Sequence, residues 1–155
     1  MKLKIERIEL RRLRLPLRFR FETSFGAVTE KTFLLLQVFA DGGAFGLGEC
    51  VAEEDPYYLP ETNGTVTHIL RDFLVPLTLG RTFESPEETD GRFAGIRGHE
   101  MAKASLEMAI WDLFARAKGE PLWKTLGGDG RSHISAGVSI GLQSNTAALM
   151  ERVRT

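Results

Sequence analysis

The side chains that could do chemistry fall into small groups, and each group has two readings. Lys2 and Lys4 in "MKLKIERIEL" stand two apart. That spacing projects both from one face of a strand and could supply a base. The simpler reading is a pair of solvated charges at a strand edge. "HEMAK", residues 99–103, shares two letters with a zinc-protease helix, but no second histidine follows one turn later, so the zinc pair is missing. His68 and His133 are far away in the chain and do not complete a metal site. Glu53, Glu54 and Asp55, followed by Pro56, could attract a cation, although an acidic surface loop accounts for them as well. "GAFGLG", residues 43–48, has the glycines of a dinucleotide loop in the wrong order. No helix follows it to receive a phosphate, so a hairpin with close backbone approach is the favoured reading.

Two loops stand out by composition. "RFETSFGA" sets Phe21 and Phe25 beside Thr23, Ser24 and Gly26, and "CVAEEDPYYLP" sets Tyr57 and Tyr58 beside acids and prolines. Aromatics on loops suit the capping of a ligand. They equally suit packing down on their own domain, and both readings stay open at this point.

The elements that would carry these loops read as α+β. Residues 13, 15, 17, 19 and 21 are Leu, Leu, Leu, Phe and Phe, with Arg14, Arg18 and Arg20 between them, the period of two of a half-buried strand. Ile8 and Leu10 are out of phase with this set, which predicts a bulge or break near Arg11–Arg12. Pro16 predicts an edge or an end. "KTFLLLQVFA" reads as a central strand, Asp41-Gly42-Gly43 as a hairpin turn and "AFGLGEC" as the returning strand. The first fifty residues are therefore expected to form a three-stranded antiparallel sheet. Helices are expected from Pro60 or Thr62, ending at Pro76 and Gly80, and from Ser85 as N-cap with Pro86 at N1. "HEMAKASLEMAIWDLFARAKG" is the clearest helix. Ala102, Leu106, Ala109 and Leu113 form its stripe, flanked by Met101, Ser105 and Met108, and Gly119 ends it. "PLWKTLGG" adds a short turn that would tuck Leu122, Trp123 and Leu126 under the bundle. Residues 134–142 are small and apolar on both faces, as in a parallel strand covered by helices, and a helix opens after Asn145.

Bulk properties narrow the function classes. Net charge is −1, which gives no general case for nucleic acid or a membrane as partner. The single cysteine, Cys50, allows no intrachain disulfide. No run approaches the ~18 apolar residues of a membrane span, and the charged N-terminus has no signal-peptide core. These features predict a cytoplasmic protein and make the glycosylation pattern Asn63-Gly64-Thr65 a coincidence.

Taken together, "FETSFG", "GLGECVAEEDPYY", "NGTVTHILRDFLVP", "GHEMAKASLEMAIWDL", "LGG" and "GVSIGL" resemble the enolase superfamily, in its subgroup of N-acylamino acid racemases and o-succinylbenzoate synthases. The helix motif is the most specific of them. The resemblance implies an enolase-type capping domain over residues 1–127. It also implies that residues 128–155 are the start of a (β/α) barrel, incomplete, with "GVSIGL" as the first strand. It implies abstraction of a proton α to a carboxylate, with Mg²⁺ or Mn²⁺ stabilising the enediolate and lysines as bases. Those lysines and the metal-binding carboxylates belong to later barrel strands, so this chain holds no catalytic residue and no metal ligand of its own. Lys2 and Lys4 are not the family's pair.

What the resemblance carries over is a substrate-binding surface: Phe21 and Phe25 in the first capping loop, Tyr58 in the second and Ser139 on the barrel strand. Glu53 stands where the subgroup often has an apolar residue, which leaves the acyl preference open. The substrate would be a small carboxylate, an N-acylamino acid or the precursor of succinylbenzoate, and the full-length enzyme a homo-oligomer. The chain alone is expected to be inactive. A non-catalytic binding or assembly module with a cap-like fold is the rival reading, and a dipeptide epimerase or muconate cycloisomerase is a third.

Overall fold

A computed structural model describes residues 1–24, 26–131 and 133–154. The fold is mixed, with an antiparallel sheet and helices, and it begins with two long strands. β1 is Leu3–Thr23 and β2 is Gly26–Ala40. A tight turn at Asp41–Gly43 follows, with Gly42 and Gly43 at φ 77° and 86°, the left-handed region that only glycine enters freely. The turn leads into β3, Phe45–Cys50. β2 and β3 pair antiparallel from Leu34 opposite Cys50 to Phe39 opposite Phe45.

The sheet has four strands, not the three expected. β4, Thr82–Phe83, pairs antiparallel with Leu3 and Lys4, and the order is β3-β2-β1-β4. A two-residue strand carries no readable period. Nor does β1 break near Arg11–Arg12. The covered face changes instead: Ile8 and Leu10 pack against the core, while Leu13 and Leu17 are half-buried. Pro16 sits within β1 beyond the two residues that β4 pairs. Its missing N–H is tolerated at such an edge.

Helices follow the sheet. α1, Asn63–Ile69, starts at Thr62, whose hydroxyl accepts from the Thr65 amide while the Thr65 hydroxyl accepts from the Thr62 amide. Pro76 does not end this helix. Residues Leu70–Leu74 widen into a π-turn, the Val75 amide reaches the Leu70 carbonyl, and α2, Val75–Thr78, carries Pro76 in its first turn. Widening the ladder absorbs a residue that cannot donate, and Gly80 at φ 73° stops the run. α3, Glu88–Phe93, begins three residues after Ser85. The Glu88 carboxylate accepts from the Glu84 and Ser85 amides at 2.6 and 3.3 Å, so the acid folds back on the stretch where Ser85 was expected to cap.

α4, Glu100–Lys118, supplies most of the helical core. Its whole expected stripe is buried, together with Ser105, Ile110 and Phe114, and Gly119 closes it at φ 68°. Met108 faces solvent. α5, Leu122–Thr125, does not tuck its apolar residues away. Trp123 and Leu126 are about half exposed, and the Trp123 ring lies against Gly128 and Gly130. Four residues are too few to bury a large face.

The chain divides into two compact units, Met1–Leu13 with Thr32–Gly130, and Arg14–Lys31 with Arg131–Thr155. In the second, residues 133–143 form no strand. Ile134, Val138 and Leu142 are exposed, and among the described residues no strand ladders with this segment. α6, Thr146–Arg154, follows. The Asn145 side chain accepts from the Ala148 amide at 2.9 Å. Among the described residues no helix is long and apolar enough to cross a membrane.

Candidate substrate-binding surface

Two of the four expected binding residues come together in the second unit. β1 brings Phe19 and Phe21 to one face, since they are two apart on a strand. The segment ahead of α6 brings Val138, Ser139, Ile140 and Gln143, and α6 brings Arg152. Together they line an open groove of about 310 Å³. Gly141 makes the approach possible. A methyl group there would stand 2.8 Å from the Glu22 carbonyl oxygen, and without one the Leu142 amide donates to that oxygen at 2.8 Å. The Arg152 guanidinium lies 3.9 Å over the Phe19 ring, an attractive arrangement for a cation and an aromatic face. With Arg20 also in its lining, the groove offers aromatic walls, one hydroxyl, one side-chain amide and two cations. This set can bind an organic anion with an apolar body. It contains no group suited to move a proton.

Tyr58 lies in the first unit, on the loop of residues 51–62. Tyr57 is 87% exposed and Tyr58 75%, so these rings do not pack down on their own domain. The loop itself is tied at both ends. Near its start, Glu53 bridges to Thr62, the Asn63 amide donates to the Glu53 carbonyl at 2.8 Å, and the Asn63 side chain donates to Glu54 at 2.7 Å. Arg12 of β1 reaches Glu54 from the other side at 2.5 Å. At its end, the Glu61 carboxylate accepts from the Met101 and Ala102 amides at 2.8 and 3.1 Å. It thereby caps the positive end of α4. Phe25, the fourth expected residue, lies outside the described residues.

Composition hinted at Phe19, which shares the alternation of Phe21. Nothing local marked Gln143, Arg152, Asn63 or Glu61, whose roles depend on partners distant in the chain.

The other candidates resolve toward their structural readings. Gly46 and Gly48 face α4, and a methyl on either would overlap its backbone at Ala109 or Ser105. Lys2 is exposed and paired with Glu84 at 2.7 Å, which raises its pKa and stabilises the charged form that cannot act as a base. His68 pairs with Asp72 at 2.7 Å. The Arg71 guanidinium on the same carboxylate holds the Asp72 pKa down at about 2. His99 begins α4 in a left-handed conformation, φ 57°, and Glu100 pairs with Lys103 at 3.2 Å. Burial pushes the Cys50 thiol up, away from a reactive thiolate. Among the described residues, no group of three or more His, Cys, Asp or Glu is placed to hold a metal ion.

The frame that carries these groups is a four-stranded antiparallel sheet with α4 packed against β3. Residues 7–127 match the family model described as the mandelate racemase / muconate lactonizing enzyme, N-terminal domain, and the chain belongs to this family of the enolase superfamily. It is 47% identical over 153 residues to an N-succinylamino acid racemase of Thermus thermophilus, covering 97% of this chain and 41% of the relative. It is 45% identical over 151 residues to an o-succinylbenzoate synthase of Geobacillus stearothermophilus, covering 97% and 40%. A solved enolase-superfamily member from Enterococcus faecalis V583 superposes with a TM-score of 0.86 at 38% identity, over 99% of this chain and 42% of that one. A mandelate racemase/muconate lactonizing enzyme-type structure from Roseovarius nubinhibens, 28% identical with a TM-score of 0.82 over 98% of this chain and 41% of that one, is complexed with magnesium. The chain thus spans about two fifths of the length of these relatives.

Proposed function

We propose that this chain is the capping and substrate-specificity part of a divalent-metal-dependent enzyme that abstracts a proton α to a carboxylate. The reaction is N-acylamino acid racemisation, o-succinylbenzoate synthesis or both. The observation that carries the reading is the identity of 47% and 45% to a racemase and a synthase along nearly the whole chain. Residues 1–127 are the cap, and residues 128–155 begin a barrel whose later strands supply lysines and metal ligands. Among the described residues no cluster fits a metal. Their part is to bind and orient. By resemblance to the family, Phe21, Phe25, Tyr58 and Ser139 are the residues that bind the small carboxylate. The full-length enzyme is a cytoplasmic homo-oligomer.

The test is a polarimetric or circular dichroism assay with Mg²⁺ or Mn²⁺. The full-length enzyme should racemise N-succinylamino acids or form o-succinylbenzoate, and the 155-residue chain alone should do neither. In the full-length enzyme, Tyr58→Ala should raise KM about tenfold with kcat little changed, because contacts remote from the reacting carbon contribute uniform binding. Metal-dependent turnover by the chain alone would sink the reading, as would a full-length enzyme inert toward both substrate types.

A further inference from the structure

Asn63 is the first residue of α1 and is 2% exposed. Its side-chain amide donates to the Thr32 carbonyl at 3.2 Å and to Glu54 Oε1 at 2.7 Å. Both partners are acceptors, so the orientation of the amide is settled by chemistry. Its Oδ1 is buried and has no hydrogen-bond partner among the described residues. A buried acceptor without a partner is unfavourable, so packing alone does not account for an amide here. What Asn63 contributes is two donors. One holds the backbone of β2 at Thr32, and the other holds the acidic stretch immediately ahead of Tyr57 and Tyr58. The Asn63 backbone amide fastens Glu53 as well, and Glu54 passes the connection on to Arg12 of β1.

We propose that Asn63 is a positioning residue: its double-donor side chain holds residues 53–58 in place, so that Tyr58 meets the acyl portion of the substrate. This rests on the reading of the chain as a substrate-specificity cap. Few uncharged side chains of this size present two donors on one nitrogen. An aspartate would set a carboxylate against the Glu54 carboxylate and the Thr32 carbonyl, and the loop would be pushed away. Replacing Glu54 by glutamine at the same time restores that one bond with donor and acceptor exchanged. The change removes only a surface ion pair with Arg12, which contributes little.

The test uses Asn63→Asp and the pair Asn63→Asp/Glu54→Gln. In the 155-residue chain, exchange of the residue 63 backbone amide, which donates to the Glu53 carbonyl and so reports the hold on the loop, should become about tenfold faster in Asn63→Asp. Exchange over residues 102–113 of α4 should stay as it was, and the pair, in which the carboxylate still faces the Thr32 carbonyl, should recover part of the loop protection. In the full-length enzyme, Asn63→Asp should raise KM about tenfold, the scale of one hydrogen bond to a charged group. Its kcat should stay within about twofold, and the pair should recover part of the rise in KM. Unchanged loop exchange overturns the proposal whatever the enzyme does. Faster exchange through α4 as well, or a fall in kcat that the pair does not rescue, makes Asn63 a general stability residue and overturns it too. A loosened loop with unchanged KM removes the link to substrate. If the unaltered full-length enzyme turns over neither substrate type, the capping reading fails, and loop exchange still decides whether Asn63 holds the loop.

Discussion

Gly48 is buried in β3, and a methyl group on it would overlap the Ser105 carbonyl of α4; Gly46 meets Ala109 and Leu113 in the same way. The strand and helix backbones therefore touch without a side chain between them, and neither can retreat without opening the core around Leu106 and Ala109. Gly48→Ala should destabilise the chain by about 1–3 kcal/mol or more, the cost of overpacking. A urea midpoint shift at unchanged slope would measure it, and a midpoint equal to the parent's would mean that the two backbones can separate freely. The pattern "GAFGLG" announced a close approach, and the wrong order of its glycines argued against a nucleotide. It carried no sign of which element would approach, because that partner lies some sixty residues further on.

At the scale of elements, α4 was legible and its beginning was not. A stripe with spacings of three and four and a terminal glycine predicts the helix from local terms alone. Its cap is different. His99 makes no capping bond, and the first free amides go to Glu61, forty residues earlier. A carboxylate there satisfies two donors and complements the helix dipole. Glu61→Ala should lower stability by about 1 kcal/mol, read as a lowered thermal midpoint, and Glu61→Gln should lose less. Equal stability of the alanine variant would mean that water replaces the cap without penalty. β4 leaves no trace in the sequence for a related reason: two residues have no period, and only the presence of Leu3 and Lys4 makes them a strand.

Across the whole molecule, stability should be uneven. The unit built from residues 1–13 and 32–130 holds the buried cluster of sheet, α1, the π-turn and α4. Residues 133–143 have no ladder and expose Ile134, Val138 and Leu142. Hydrogen exchange should be slow over residues 102–113 and fast over residues 137–141, since protection follows buried, hydrogen-bonded backbone. Slow exchange of that segment in a proven monomer would mean that it is covered, and the account of it as a strand lacking partners would have to be abandoned.

The sequence by itself determined that strands lie within β1 to β3, that α4 is a helix and which residues make its core stripe. These follow from spacing and from turn and cap residues that act within a few positions. It also carried the family motifs and offered Phe21 and Ser139 as a surface. Tertiary structure alone decided the fourth strand, the continuity of β1 past its change of phase, the exposure of Trp123 and the failure of residues 134–142 to form a strand. It alone brought Arg152 over Phe19, set Glu61 on α4 and set Asn63 between Thr32 and Glu54. The reason is common to all of these: a hydrogen bond or contact between residues far apart in the chain leaves no periodic trace in either segment, and an apolar run becomes a strand only where another strand is there to receive its amides.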